Sequence, residues 1–192
     1  MKEILLIGDG GHSKSVIDVL EQEGQFKIAG IVGTSISVGY DVLGYQVIGD
    51  DSDIYRFSKI YKYAIVAVGQ IHSPETRIKI FSLLMKSGFV LPSIISPRSY
   101  VSKHAVIGRG SIIMHGAVVN ANAVIGDNCI INSKALIEHD SVIHSHCHIS
   151  TSATINGNVI VGEGSFIGSG VVTNNSIVIK KNSFIKAGAL VK

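Results

Sequence analysis

The chain has 192 residues, of which 46% are hydrophobic and 16% charged, and its formal net charge is +3. That charge is too small to indicate nucleic-acid binding, and no apolar run approaches the length of a membrane span. The opening residues do not have the layout of a signal peptide, so we expect a cytoplasmic protein. The two cysteines, Cys129 and Cys147, are expected to be buried thiols in a reducing compartment.

Strands alternate with helices in the first half of the chain. Strands are predicted at 3–8, 27–32 and 63–69, a turn with a short strand at 42–49, and helices at 13–23, 50–59 and 74–87. This alternation is typical of a small, doubly wound parallel sheet. We therefore expect a Rossmann-like α/β domain over residues 1–92.

A glycine-rich turn lies between the first strand and the first helix of this domain. Gly10, Gly11 and His12 stand where a phosphate can approach the N–H groups of a helix N-terminus, and Gly69 ends the neighbouring strand. These four residues are the candidate ligand contacts. Position 13 is serine and no acidic residue follows the second strand, so a nicotinamide cofactor is not expected.

The second half of the chain repeats every six residues. From Ile95 to Val191, every sixth residue is isoleucine or valine except Thr173. This period fits neither a helix nor a single strand, and it is the signature of a parallel β-helix. Three six-residue units form one coil, so residues 18 apart lie above one another. We expect this domain to span residues 93–192.

One corner of the predicted β-helix carries the side chains of a general base. His139 is flanked by Glu138 and Asp140, and a carboxylate can hold a histidine in one tautomer. Gly157 follows 18 residues later, so its backbone N–H is expected above His139, where it can stabilise an oxyanion. No serine or cysteine nucleophile is paired with the base. The pattern therefore favours acyl transfer by direct attack of an acceptor.

The whole chain resembles the bacterial sialic-acid and nucleotide-sugar acetyltransferases of the PglD and NeuD type. The similarity rests on the segments 8–14, 137–140 and 145–150 and on the hexapeptide repeat. It implies a left-handed β-helix, a homotrimer with sites at the subunit interfaces, acetyl-CoA as acetyl donor and no metal.

The same resemblance implies roles for individual residues. His139 would deprotonate the acceptor, Asp140 would orient it, and the Gly157 amide would face the thioester carbonyl of acetyl-CoA. The matches of Asn132 and His148 would line the same site. The first domain would hold a sugar nucleotide through Gly10, Gly11 and His12. The phosphates of acetyl-CoA are expected near the last coils, where three lysines supply positive charge: Lys180, Lys181 and Lys186.

The sequence indicates acetyl-CoA as the donor but leaves two choices for the acceptor. Many relatives that bind a UDP-sugar have an acidic pair after the second strand, whereas this chain has Gly-Ile-Val-Gly-Thr-Ser at 30–35. The amino group of a nucleotide-linked 4-amino-sugar, in the synthesis of a bacterial surface glycan or glycoprotein, is the first choice. O-acetylation of a sialic-acid-like or other sugar hydroxyl is the alternative.

Two other classes of protein fit parts of the sequence. Carbonic anhydrases with a prism fold bind zinc through histidines between subunits, and His139 and His144 have a suitable spacing for two ligands. A binding or scaffold protein without catalysis is the third possibility. The Glu-His-Asp corner argues against it.

Overall fold

A computed structural model describes all 192 residues of the chain. The chain divides into two compact units, the first formed by Met1–Gly69 and Glu75–Pro92 and the second by Gln70–Pro74 and Ser93–Lys192. The short segment Gln70–Pro74 thus groups with the β-helix, although it lies within the first domain in sequence. No helix combines the length and apolar character needed to cross a membrane.

The first unit is a five-stranded sheet with helices. Its strands are β1 (Lys2–Ile7), β2 (Phe26–Gly33), β3 (Asp41–Val42), β4 (Tyr45–Asp50) and β5 (Tyr63–Val66), and its helices are α1 (Gly11–Glu23), α2 (Ile54–Phe57) and α3 (Glu75–Lys86). The sheet order is β3-β4-β2-β1-β5, and every pair is parallel except β3 with β4. Because β1 lies between β2 and β5, the loops after β1 and β5 meet at one edge of the sheet.

The helix predicted over 50–59 is shorter in the structure. A 3₁₀ turn occupies Asp51–Asp53, and only Ile54–Phe57 is α-helical. The side chain of Asp50 accepts a hydrogen bond from the Ser52 N–H at 2.9 Å, and the side chain of Asp53 accepts one from the Asp50 N–H at 3.2 Å. These reciprocal bonds close a tight turn, which replaces the first turn of the predicted helix.

The second unit is a left-handed parallel β-helix with three faces. Face 1 contains β6 (Ile94–Ile95), β9 (Ile112–Ile113), β12 (Ile130–Ile131), β15 (His148–Ile149), β18 (Phe166–Ile167) and β21 (Phe184–Ile185). Face 2 contains β7 (Tyr100–Val101), β10 (Val118–Val119), β13 (Leu136–Ile137), β16 (Thr154–Ile155), β19 (Val172–Thr173) and β22 (Leu190–Val191). Face 3 contains β8 (Val106–Ile107), β11 (Val124–Ile125), β14 (Val142–Ile143), β17 (Ile160–Val161) and β20 (Val178–Ile179). Paired residues on every face are 18 apart, which confirms the predicted coil.

The interior of the β-helix is apolar from one coil to the next. Ile137, Ile155 and their equivalents in the central coils are fully buried. Thr173, the exception in the repeat, is 1% exposed, and its hydroxyl accepts a hydrogen bond from the Asn156 N–H at 2.9 Å. The buried hydroxyl is therefore satisfied, which removes the cost of a polar group at a core position.

The cysteines are free and buried, as predicted. The thiols of Cys129 and Cys147 each donate to a backbone carbonyl of the next coil, at 3.2 Å in both cases. The hydrogen bond with Cys129 and burial raise the pKa of the Cys147 thiol, so this sulfur remains protonated at neutral pH.

Candidate active site

His139 lies at the corner where the chain turns from face 2 to face 3, between β13 and β14. The next residue, Asp140, has a φ of 62°, so the corner is closed in the left-handed region. This turn brings the Asp140 carboxylate back to the imidazole, where Nδ1 of His139 donates to Oδ2 at 2.7 Å. Nδ1 therefore carries the proton, and Nε2 of the neutral ring is left as the basic nitrogen.

The coil below supports this pair through two asparagines. The Asn122 amide donates to Oδ1 of Asp140 at 2.7 Å, and the Asn120 amide donates to Oε2 of Glu138 at 2.9 Å. Sequence reasoning missed both residues. The signal that would have found them is the 18-residue spacing, because Asn120 and Asn122 stand one coil before Glu138 and Asp140.

The carboxylates shift the titration of the base. The hydrogen bond with Asp140 raises the pKa of His139 above its ordinary value, and the charges of Asp140 and Glu138 add to the effect. The hydrogen bonds from Asn122 and His139 lower the pKa of Asp140, so this carboxyl is ionised at neutral pH. The imidazole side chain is 62% exposed and can receive a proton from a molecule outside the chain.

Gly157 lies directly above His139, as the 18-residue spacing predicts. A Cβ built on Gly157 would lie 2.9 Å from both Cε1 and Nε2 of His139, so only glycine leaves room for the ring in this position. The carbonyls at this corner are used by the stack, since Asn158 N–H bonds to His139 O and Ser176 N–H to Gly157 O. The Gly157 N–H makes no hydrogen bond within the chain.

Asn132 and His148 form a second cluster. Nδ1 of His148 lies 2.5 Å from the carbonyl oxygen of Gln70, and Nε2 lies 3.1 Å from Nδ2 of Asn132. A carbonyl only accepts, so Nδ1 carries the proton and Nε2 accepts from the asparagine amide. His148 is 6% exposed, and the Gln70 amide also bonds to the carbonyl of His146 at 2.9 Å. Both ring nitrogens of His148 are thus engaged.

The two clusters lie at different places on the β-helix. His148 belongs to face 1 and Asn132 to the corner between faces 1 and 2, whereas His139 occupies the corner between faces 2 and 3. The exposed lysines are also divided, with Lys180 and Lys181 between faces 3 and 1 and Lys186 between faces 1 and 2. A single chain does not bring these groups together.

The glycine-rich loop of the first unit follows β1. Gly10 precedes α1 without a side-chain cap, and Gly10 and Gly11 are exposed, with open space where a Cβ would be. His12 is half-buried, and its Cβ would be 3.4 Å from a Cβ on Gly69. The structure therefore places the four predicted contacts at one edge of the sheet. Their binding role stays a prediction.

In this loop, position 8 is the one at which the surrounding structure requires glycine. Its φ is 125°, and a Cβ would lie 2.9 Å from the backbone nitrogen of Val68. The side chain of Arg77 holds the same strand end by donating to the carbonyls of Val66 and Val68, at 3.1 and 2.6 Å. These carbonyl contacts account for β5 ending at Val66 rather than at the predicted Gly69.

Metal ligands are not grouped within the chain. No cluster of three or more His, Cys, Asp or Glu side chains could hold a metal ion, and His139 and His144 lie at successive corners of the β-helix.

Two family models match parts of the chain. Residues 3–84 match the PglD N-terminal domain, and residues 104–139 match the bacterial transferase hexapeptide model of six repeats. No curated protein matches the sequence significantly.

Three solved structures are similar over nearly the whole chain. A point mutant of perosamine N-acetyltransferase from Caulobacter crescentus, solved with CoA and GDP-perosamine, is 30% identical, with a TM-score of 0.93 over 100% of this chain and 89% of that one. The acetyltransferase domain of PglB from Neisseria gonorrhoeae, solved with acetyl-CoA, is 31% identical, with a TM-score of 0.89 over 99% and 92%. WeeI from Acinetobacter baumannii shares the fold at 20% identity, with a TM-score of 0.75 over 100% and 97%. The chain belongs to the PglD/NeuD-type family of hexapeptide-repeat acetyltransferases.

Proposed function

We propose that this enzyme transfers the acetyl group of acetyl-CoA to the amino group of a nucleotide-linked 4-amino-sugar, in the synthesis of a bacterial surface glycan or glycoprotein. The observation that carries the proposal is the His139–Asp140 pair lying beneath the unpaired N–H of Gly157. The donors and the acceptor present in the two relatives of about 30% identity support the choice of substrates.

The reaction follows from the chemistry of these groups. Nε2 of His139 takes a proton from the acceptor ammonium, and the free amine attacks the thioester carbonyl. The carbonyl oxygen becomes an oxyanion, which the Gly157 N–H stabilises by a hydrogen bond. The attacking nitrogen then loses its second proton to solvent, the C–S bond breaks as the intermediate collapses, and the His139 imidazolium returns its proton to the CoA thiolate. Asp140 keeps Nδ1 protonated throughout and stabilises the imidazolium.

Thiol release measures this reaction directly. The protein is incubated with acetyl-CoA and a panel of nucleotide-linked 4-amino-sugars, their hydroxyl counterparts and free nonulosonic sugars, and the product is identified by mass and by its stability to mild base. We expect an amide that survives base. An ester that base removes would support O-acetylation instead, and absence of thiol release with every acceptor would contradict the proposal.

Completion of the site requires a second copy of the chain. Asn132 and His148 contribute to the same reaction as His139 only if face 1 of one copy meets the corner between faces 2 and 3 of another. The outward positions on either side of that corner are apolar and exposed, which favours burial against a partner. They are Tyr100, Val172 and Leu190 on face 2 and Val106, Val124, Ile160 and Val178 on face 3. We propose a homotrimer, because a face-to-corner contact is heterologous and closes as a ring.

A mixing experiment tests the shared site. His139→Ala and His148→Ala are each expected to be nearly inactive alone, since each removes one cluster from every site. Random assembly of the two variants in equal amounts places an intact corner against an intact face at about a quarter of the interfaces. We therefore expect about a quarter of wild-type turnover from the co-expressed mixture. A mixture no more active than its components, or a monomeric mass by light scattering, would contradict the trimer.

Acceptor binding is assigned to the first unit. We propose that Gly10, Gly11, His12 and Gly69 hold the sugar nucleotide, because the uncapped N–H groups that begin α1 favour an anion such as a diphosphate. Lys180, Lys181 and Lys186 are proposed to attract the phosphates of acetyl-CoA by their charge.

A further inference from the structure

A column of polar side chains follows the corner that carries His139. Asn122, Asp140 and Asn158 occupy the same position in successive coils, and all three have φ between 58° and 62°. Within this column, the Asn122 amide donates to Oδ1 of Asp140 at 2.7 Å, while Oδ2 of the same carboxylate accepts from His139 at 2.7 Å. The carboxylate is thus held from both oxygens, by the amide below and by the imidazole beside it.

We propose that Asn122 is a positioning residue for catalysis, which fixes the Asp140 carboxylate so that it can hold His139 in its basic tautomer. This inference rests on the proposed function, since it concerns the same base. Asn122 does not touch the reacting atoms in this account and acts through Asp140.

Asp140 needs such an anchor because little else restrains it. Its side chain is 48% exposed, and a carboxylate at an exposed corner is otherwise free to change rotamer and bond to water. An ionised carboxylate only accepts hydrogen bonds, so the asparagine must present Nδ2 to it, which also fixes the orientation of the amide. Asparagine is one of the few residues that adopt the left-handed conformation readily. The position therefore supplies a donor without straining the corner.

Within its own chain, His139 has few charged groups around it. Asp140 and Glu138 are the charges that act on the imidazole. The coil below presents Asn120 and Asn122 to these carboxylates, and the coil above presents Gly157 to the ring, so neither adds a titrating group.

Two substitutions at this position are expected to move the acidic limb of kcat/KM in opposite directions. Asn122→Gly keeps the left-handed backbone and removes the donor, so the His139–Asp140 bond loosens and the limb moves to lower pH. Asn122→Asp adds a negative charge beside Asp140, so the limb moves to higher pH. Both variants are expected to lower kcat about 10-fold, the lower range for losing a residue that orients a functional group. Ser152→Gly is the matched control, since Ser152 has φ 58° at another corner and its side chain makes no hydrogen bond.

A double-mutant cycle separates positioning from a general effect on the fold. If Asn122 acts only through Asp140, then Asn122→Gly added to Asp140→Asn causes no further loss of kcat. Independent 10-fold losses that multiply, or limbs that stay at the wild-type pH in both Asn122 variants, would overturn the proposal. The wild-type enzyme and His139→Ala are assayed beside these variants. If the wild-type enzyme transfers acetyl and His139→Ala does not, the proposed function is supported even when the Asn122 variants behave like the wild type.

Discussion

Gly157→Ala is expected to separate catalysis from stability. The new Cβ would lie 2.9 Å from Cε1 and Nε2 of His139, whereas carbon and nitrogen atoms in contact prefer about 3.5 Å or more. The ring must therefore retreat by roughly 0.6 Å, and a displacement of about 1 Å can cost on the order of 10²-fold in rate. We expect kcat to fall between about 10-fold and 100-fold.

The same substitution has no reason to destabilise the protein. Gly157 is not among the residues with positive φ, so alanine is allowed at this corner. The groups that must move are the ends of two exposed side chains, the His139 ring and the Asn175 amide, which a Cβ would approach to 3.3 Å. Replacing glycine by alanine at a compatible position typically adds about 0.4–1 kcal/mol of stability. The melting temperature should therefore equal or slightly exceed that of the wild type.

Steady-state thiol release and a thermal melt together test this prediction. The control is the double variant Gly157→Ala, His139→Ala, in which the ring is absent and the added methyl group meets only Nδ2 of Asn175, at 3.3 Å. Its turnover should equal that of His139→Ala alone. A Gly157→Ala enzyme with wild-type kcat would refute the inferred proximity of ring and backbone, and a large loss of melting temperature would refute the structural part.

Four further predictions concern other parts of the chain. Asp140→Asn removes the carboxylate whose hydrogen bond and charge raise the pKa of His139. The neutral base then persists to lower pH, so the acidic limb of kcat/KM should move to lower pH while the plateau falls. His12→Ala should raise the acceptor KM before it lowers kcat, and a collapsed kcat at unchanged acceptor KM would reverse its assignment. The double variant Lys180→Ala, Lys181→Ala should raise the KM for acetyl-CoA more at low than at high salt, and equal constants at both would exclude the electrostatic role. Ile137→Ala, at a fully buried position, should cost about 2–5 kcal/mol in the free energy of unfolding, measured with denaturant.

The architecture of the β-helix was predictable because its repeat is long and its spacing is strict. The stacking of Gly157 over His139 followed from counting 18 residues, and the structure places them in contact. The same count applied to Asp140 would have found Asn122. It was missed because asparagine at a left-handed corner is common for conformational reasons alone, so its residue type does not indicate a hydrogen bond.

Other features depend on contacts that a linear sequence does not display. Two hydrogen bonds attach Gln70 to the β-helix: its backbone carbonyl accepts from His148, and its side-chain amide donates to the His146 carbonyl. Each bond has a backbone carbonyl as one partner, and a carbonyl leaves no signature in the residue type. The short helix after Asp50 depends on reciprocal side-chain bonds that favour a 3₁₀ turn over the apolar pattern. The division of the candidate site residues into two clusters follows from which face each strand occupies.

The turnover of His139→Ala tests the central claim most directly. Wild type and variant are compared by release of CoA thiol from acetyl-CoA with the acceptor that the wild type uses, from pH 6 to pH 9. Loss of a positioned base predicts a decrease of about 10² to 10⁴ in kcat, with binding of acetyl-CoA nearly unchanged and a melting temperature near wild type, because the side chain is exposed. A folded variant with wild-type turnover across this pH range would contradict the mechanism.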